Sequence, residues 1–135
     1  MSEKILFVDD EPAVLDGYRR LLFKEFTIDT AVGGGDGLAC IAEARDEPYA
    51  VVVSDLRMPE MDGIQFLSRV RVVSPETVRI ALTGYADMQS AIHAVNDGAI
   101  FRFLTKPCEK EVLAKGLTAG LLQHRLLVAE RELLE

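Results

Sequence analysis

Five short apolar runs alternate with five longer helical patterns along this chain of 135 residues. The runs are rich in β-branched residues, whereas the stretches that follow them repeat apolar residues at spacings of three and four, as amphipathic helices do. Such alternation is typical of βα units, which build a parallel sheet with right-handed crossovers. The sequence therefore predicts an α/β fold, a doubly wound five-stranded parallel sheet of order 2-1-3-4-5. The predicted strands are 5–8, 27–32, 50–53, 78–82 and 100–104.

Each predicted strand is followed by a predicted helix. The helices are expected at 14–26, after the glycine run to about residue 43, at 63–73, at 87–96 and from about 109 toward the C-terminus. The glycine run Gly33–Gly37 is interpreted as a turn, since it lacks the third glycine of the G-x-G-x-x-G dinucleotide motif. In the fourth helix, the spacing predicts that Met88, Ile92 and Val95 point inward.

The charge and cysteine content narrow the function classes. A net charge of -7 argues against nucleic acid or anionic membrane as a direct partner of this segment, because both polyanions would repel it. Cys40 and Cys108 fit no metal-ligand spacing and no disulfide framework. No signal-like segment opens the chain, and no apolar run reaches the roughly 18 residues of a membrane-spanning helix. The expected location is the cytoplasm.

Polar side chains follow four of the five predicted strands. The first strand leads into Asp9-Asp10, the third into Asp55, the fourth into Thr83 and the fifth into Lys106. In the predicted order, the first and third strands are neighbours at the switch point, where doubly wound sheets bind ligands. Two carboxylates about 4 Å apart repel by roughly 4 kcal/mol at an effective dielectric near 20, so three together call for a cation. Carboxylate and carbonyl oxygens suit Mg²⁺.

Each of these residues has an ordinary alternative when it is taken alone. Asp10 fits a helix cap before Pro12, Thr83 a strand-end hydroxyl, and Lys106 a solvated surface charge. Their joint placement favours a site for a phosphoryl group on Asp55. The carboxylate would be the nucleophile, as in enzymes that form aspartyl phosphates, and Lys106 and Thr83 would bind the phosphoryl oxygens.

Together these residues resemble the receiver domains of two-component response regulators. The resemblance rests on Asp9-Asp10, the run Ser54-Asp-Leu-Arg-Met-Pro-Glu-Met-Asp-Gly63, Thr83-Gly84 and Lys106-Pro107, and it covers about residues 3–122. It implies a flavodoxin-like fold and a phosphodonor that is a phosphohistidine on a sensor histidine kinase or a phosphotransfer protein.

The resemblance also implies a role for each acidic residue. Asp55 would be the phosphoacceptor. Asp9 and Asp10 would form the acid pair that holds Mg²⁺, with Asp10 as a direct ligand. The remaining protein ligands would be the Asp55 carboxylate and the main-chain carbonyl of Arg57.

A switch is implied by the same resemblance. Thr83 and Lys106 would form the phosphoryl-binding pair, and the Lys106-Pro107 bond would be cis. Phe103, three positions before the lysine, would turn inward when Thr83 follows the phosphoryl group. The alternative for Phe103 is a core position in every state. The surface expected to change is the helix 4, strand 5, helix 5 face.

The last helix carries a separate signal, an apolar 3-4 repeat broken by Lys115. Its positions are Val112, Ala119, Leu122, Leu126, Ala129 and Leu133. We predict a receiver domain over 1–122 and a projecting helix end over 123–135, a coiled-coil linker to an output domain. The alternative is one amphipathic helix packed on the sheet. A homodimer is expected, through the helix 4, strand 5, helix 5 face or the C-terminal helix.

The sequence thus predicts a Mg²⁺-dependent receiver that is phosphorylated on Asp55 and controls an output domain, without being a turnover enzyme. One rival is a phosphorylation-independent interaction module with the same fold. A less favoured rival is a Mg²⁺-dependent aspartyl-phosphate phosphatase of the haloacid dehalogenase type. That class needs D-x-D after strand one, whereas Asp9 and Asp10 are adjacent here.

Overall fold

A computed structural model describes residues 3–135 of the chain. The strands are β1 (Lys4–Asp9), β2 (Thr27–Val32), β3 (Val51–Asp55), β4 (Val78–Thr83) and β5 (Arg102–Thr105). The helices are α1 (Pro12–Leu22), α2 (Gly33–Glu43), α3 (Gly63–Val73), α4 (Met88–Asn96) and α5 (Lys110–Leu134), with a short 3₁₀ helix (Tyr85–Asp87) before α4. The predicted alternation of strands and helices is confirmed.

The five strands form one parallel sheet in the order β2-β1-β3-β4-β5, as predicted. Successive strand residues face opposite sides, because side chains alternate along a strand. Leu6 and Val52 lie in the core beneath α2, α3 and α4, whereas Ile5 and Val51 lie in the core beneath α1 and α5. Both faces of the sheet are therefore covered by helices, which is why the central strands read as unbroken apolar runs.

The prediction of a turn over Gly33–Gly37 is wrong, since α2 begins at Gly33. The glycines are needed for close packing. A Cβ at Gly34 would lie 2.8 Å from Met61 Sδ, and one at Gly37 would lie 2.7 Å from Phe66 Cε1. Only Gly33 adopts a positive φ within this run, +88°, where the chain leaves β2. The small residues thus let α2 approach α3 and the loop before it.

Helix α4 differs from its prediction in both its start and its buried face. It begins at Met88, after the 3₁₀ helix, and it buries Ala91 and Ala94. Val95 packs against the core as predicted, whereas Ile92, which was also predicted to point inward, is 38% exposed. The fully buried face of the helix is therefore made of small side chains, and a large apolar side chain is left at the surface.

Helix α5 buries Leu113, Gly116, Leu117 and Gly120 against the sheet. A Cβ at Gly120 would lie 3.0 Å from a methyl of Val51, so the helix lies close to β3. The predicted 3-4 repeat occupies a different side of α5. Its large members are exposed, namely Val112, Leu122, Leu126 and Leu133.

Contacts between α5 and the rest of the domain continue beyond residue 122, at the edge where the strands begin. Nδ1 of His124 lies 2.7 Å from the main-chain oxygen of Glu76, and Arg131 pairs with the Glu76 carboxylate at 2.6 Å. Nε of Arg125 donates to the carboxylate of Glu3 at 3.1 Å. We call these three contacts the α5 clamp. Within residues 3–135, none of the helices combines the length and the apolar character needed to cross a bilayer.

Candidate functional site

The strand ends bring the predicted site residues to one edge of the sheet. Asp9, Asp55 and Thr83 are the last residues of β1, β3 and β4, and Lys106 directly follows β5. The strands pair in parallel register, with Thr83 opposite Thr105, and the Lys106 amide donates to the Thr83 carbonyl at 2.8 Å. Because all five strands run in one direction, their carboxyl ends meet there. We call this the carboxyl edge.

Three acids cluster at the carboxyl edge. Carboxylate oxygens of Asp9, Asp10 and Asp55 all lie within 4.8 Å of one another. Asp9 is buried, and its carboxylate accepts a hydrogen bond from the Glu11 amide at 3.0 Å. Burial raises the pKa of Asp9 above its ordinary value, and the nearby charge of Asp55 adds to the rise, although the Glu11 amide opposes it. The cluster is therefore electrostatically unfavourable without a cation.

A cation from the protein already contacts one of these acids. Nζ of Lys106 lies 3.0 Å from Oδ1 of Asp55, and both side chains remain partly accessible. The Lys106–Pro107 peptide bond is cis, as the resemblance implied. The ammonium thus stands on the side of Asp55 toward β5, where it is available to an incoming anionic group.

Thr83 is 1% exposed, and its hydroxyl donates to the main-chain oxygen of Gly84 at 3.0 Å. The hydroxyl therefore has a partner in the turn that leads to α4. Phe103 pairs with Ala81 in the sheet and is half-buried against the core beneath α2, α3 and α4. These two residues lie on adjacent strands, which is the placement that the predicted switch requires.

The loop after β3 is shaped by close backbone contacts. A Cβ at Gly63 would lie 2.2 Å from the main-chain oxygen of Asp55, so only glycine fits there. The Gly63 amide donates to the Leu56 carbonyl at 2.9 Å. Asp62 and Gln65 form a reciprocal capping box that begins α3. The loop is thereby folded back onto the end of β3 and holds Arg57 beside the acids.

Two neighbours of the site were not found from the sequence. Asp87 pairs with Arg57, Nε to Oδ2 at 2.6 Å, and a partner thirty residues away leaves no sequence signal. Tyr18 packs its ring on Phe7 with centroids 4.9 Å apart. Burial and the charges of Asp9 and Asp55 raise the pKa of Tyr18 to about 12. Its periodicity in α1 marked it as an ordinary core residue.

The donor set fits a hard divalent cation. The clustered groups are all carboxylates, two of them partly exposed, and the Arg57 carbonyl belongs to the adjacent loop. Oxygen ligands with room for retained water are what Mg²⁺ prefers. The arrangement can hold such an ion beside the Asp55 carboxylate, with the Lys106 ammonium close by.

Comparison with known proteins gives the family. The family model described as response regulator receiver domain matches residues 5–118. The transcriptional regulatory protein GlrR of Escherichia coli K12 is 36% identical in a match that covers 97% of this chain and 30% of GlrR. The chain spans less than a third of the length of the first curated relatives it matches, at 22% and 30%.

Solved structures agree with this assignment. A crystal structure described as adenylate cyclase from Rhodopirellula baltica superposes with a TM-score of 0.93 at 38% identity, covering 99% of this chain and 98% of that one. A response regulator receiver domain from Clostridium thermocellum superposes with a TM-score of 0.86 at 30% identity, covering 93% and 98%. The chain belongs to the receiver domain family of two-component response regulators.

Proposed function

We propose that this receiver accepts a phosphoryl group on Asp55 from a phosphohistidine of a sensor histidine kinase or phosphotransfer protein, in a Mg²⁺-dependent reaction. One observation carries the proposal. Three carboxylates lie within 4.8 Å of one another, and the Lys106 ammonium lies 3.0 Å from the Asp55 carboxylate. Such a set is costly as a purely structural feature and useful for binding a cation and an anionic phosphoryl group.

The proposed reaction is a single transfer. An oxygen of the Asp55 carboxylate attacks phosphorus while the P–N bond of the phosphohistidine breaks. The bonding electron pair stays on the leaving nitrogen, and the imidazole, protonated at its other nitrogen, leaves neutral. Lys106 binds an oxygen of the transferred group, because its ammonium already stands beside Asp55. Mg²⁺ held by Asp9, Asp10, Asp55 and the Arg57 carbonyl would offset negative charge on the carboxylates and the phosphoryl oxygens.

The domain would act on itself rather than turn over an external substrate. It catalyses its own phosphorylation, and the aspartyl phosphate is then lost slowly by hydrolysis. We therefore propose that this receiver is a signalling component and not an enzyme in the ordinary sense.

We further propose that phosphorylation moves Thr83 and Phe103. The Thr83 hydroxyl would exchange the Gly84 carbonyl for a phosphoryl oxygen, which is the stronger acceptor. Phe103, half-buried on the neighbouring strand, would then turn further inward. The α4, β5, α5 face changes as a result and regulates an output domain.

The partner proposed for α5 is a second copy of this chain. The exposed side of the helix repeats apolar residues every three and four positions, with Leu122 and Leu126 each 57% exposed and Leu133 87% exposed. Such a stripe is the pattern of a coiled-coil seam. It lies apart from the residues that α5 buries on the sheet, so both surfaces can be occupied together.

We place this receiver in the cytoplasm, where it would meet its kinase.

Intact-mass measurement after incubation with acetyl phosphate and Mg²⁺ tests the central proposal. One phosphoryl adduct is expected on the wild type and none on Asp55→Asn. Asp46→Asn, an exposed acid on a loop at the opposite edge of the sheet, is the matched control and should keep the adduct. A wild type without an adduct, or an adduct that persists in Asp55→Asn, contradicts the proposal.

Light scattering in beryllofluoride and Mg²⁺ tests the link between phosphorylation and self-association. Beryllofluoride mimics the phosphoryl group, so the dimer fraction should rise in the wild type and stay unchanged in Asp55→Asn. An unchanged wild type favours the phosphorylation-independent module instead.

A further inference from the structure

The Arg57–Asp87 ion pair joins two loops that each begin at a site residue. Arg57 lies two positions after Asp55 in the loop from β3 to α3, and Asp87 lies four positions after Thr83, at the end of the 3₁₀ helix. Nε of Arg57 is 2.6 Å from Oδ2 of Asp87. The pair therefore connects the phosphoacceptor loop to the segment that leads into α4.

The two loops are otherwise separated near the surface by a cavity. It measures about 470 Å³, and its walls include Leu56, Met58, Ile64 and Ser90 together with the pair itself. Deeper in the domain, the Leu56 amide donates to the Leu82 carbonyl at 3.3 Å, which continues the pairing of β3 with β4. Above that bond, the ion pair spans the gap between the loops.

The pair is built to be exchangeable. The Arg57 side chain is 70% exposed, and ion pairs at such exposure contribute little to stability. A phosphoryl group on Asp55 would carry a charge of about -1.5 to -2 and three strong acceptor oxygens. A guanidinium binds phosphate oxygens well because its donors match their geometry.

We propose that the Arg57–Asp87 pair is a tie that holds the start of α4 in its unphosphorylated position, and that Arg57 exchanges Asp87 for the phosphoryl oxygens on Asp55. The exchange releases the segment between Thr83 and α4, which borders the face that is proposed to switch. Arg57 is thus a positioning residue whose choice of partner depends on the charge at Asp55. This inference rests on the proposed function, since the exchange needs a phosphoryl group or its mimic.

The test is a double-mutant cycle on beryllofluoride affinity in the presence of Mg²⁺. Asp87→Asn removes the tie and should tighten binding by up to about fivefold, the range of a surface ion pair. In an Arg57→Gln background there is no tie to break, so Asp87→Asn should change affinity less. Asp87→Asn also removes one negative charge near the site, and this effect on affinity is the same with Arg57 or with Gln at position 57. Only the difference between the two changes in affinity measures the contribution of the ion pair. Asp87→Glu keeps the carboxylate and should bind as the wild type does.

A second readout follows the arginine directly. The Nε–H resonance of Arg57 should shift when beryllofluoride binds to the wild type, and Asp87→Asn should move the unliganded resonance toward the bound position. Equal effects of Asp87→Asn in both backgrounds, or weaker binding, overturn the tie while leaving phosphorylation of Asp55 intact. A wild type that fails to bind beryllofluoride overturns the proposed function itself.

Discussion

Charged side chains are arranged differently at the two edges of the sheet. At the carboxyl edge, acids of like sign lie within 4.8 Å of one another, and one of them is buried. At the opposite edge, two of the three contacts of the α5 clamp pair charged side chains of opposite sign, Arg125 with Glu3 and Arg131 with Glu76. Unfavourable charge is concentrated where we propose that a ligand binds, and balanced charge lies where a helix is held against the domain.

The largest effect is expected where the backbone of the site is most crowded. Gly63→Ala would place a Cβ 2.2 Å from the Asp55 carbonyl, so the free energy of unfolding should fall by about 3 kcal/mol, and phosphorylation should be lost. Gly35→Ala is the control, because nothing lies within 4 Å of its Cβ, and it should be neutral or stabilising. Urea unfolding measures both. Similar losses in the two variants would show that the crowding at Gly63 is relieved at little cost.

The next effect is the response of stability to Mg²⁺. At a hundredfold excess over its Kd, Mg²⁺ should raise the free energy of unfolding of the wild type by about 2.7 kcal/mol. Asp10→Asn should lose most of this gain and should be more stable than the wild type in EDTA, since one repelling charge is gone. Glu3→Gln, at the opposite edge, should keep the full response. Thermal melts at matched ionic strength check this, and an undiminished response in Asp10→Asn would remove that residue from the metal site.

The two edges should also differ in the sign of their pH dependence. Burial raises the pKa of Asp9 in the folded state above its ordinary 3.8, so its contribution to stability is present below pH 3.8 and is lost as the pH rises through the folded pKa. The Arg125 hydrogen bond lowers the pKa of Glu3, so the contribution of Glu3 is present above its ordinary 4.5 and is lost as the pH falls through the folded pKa.

Urea unfolding as a function of pH, without Mg²⁺, compares the wild type with Asp9→Asn and Glu3→Gln. The free energy of unfolding of the wild type minus that of Asp9→Asn should fall as the pH rises above 3.8. The free energy of unfolding of the wild type minus that of Glu3→Gln should fall as the pH drops below 4.5. If both differences changed in the same direction with pH, the negative charge of Asp9 would already be compensated in the protein without Mg²⁺.

The smallest effect is expected in the α5 clamp. Glu76→Gln removes a partly exposed ion pair with Arg131 and should lower the free energy of unfolding by about 0.5 kcal/mol. Amide exchange in the last turns of α5 should speed up, while phosphorylation should not change. Glu132→Gln, exposed on the same helix, serves as the control. A change in phosphorylation by Glu76→Gln would show that the two edges are coupled.

The carboxyl edge could be predicted from the sequence because its geometry follows from the sheet. Once the strand order is known, the residues that end β1, β3 and β4 must meet, and the structure brings Asp9, Asp10 and Asp55 together. The roles of these residues remain predictions. What the sequence could not reveal were contacts between distant positions, such as Arg125 with Glu3, 122 residues apart, and Arg57 with Asp87.

The two wrong predictions have a common physical cause. The glycines of α2 were interpreted as turn formers, and the alanines of α4 were passed over for Ile92. In both helices, small residues face the neighbour because the elements approach closely, as Gly37 does toward Phe66. Periodicity arguments weight large apolar side chains, so they miss a face that is defined by lack of bulk.

Helix α5 runs unbroken for 25 residues, about 37 Å at the usual rise per residue. A continuous helix sets the rotation of the following segment about the helix axis as well as its distance, because each added residue turns that segment by about 100°. A reporter domain fused after Leu134 through about seven extra helical residues would keep nearly the same rotational orientation as a direct fusion, whereas two extra helical residues would turn it to nearly the opposite side.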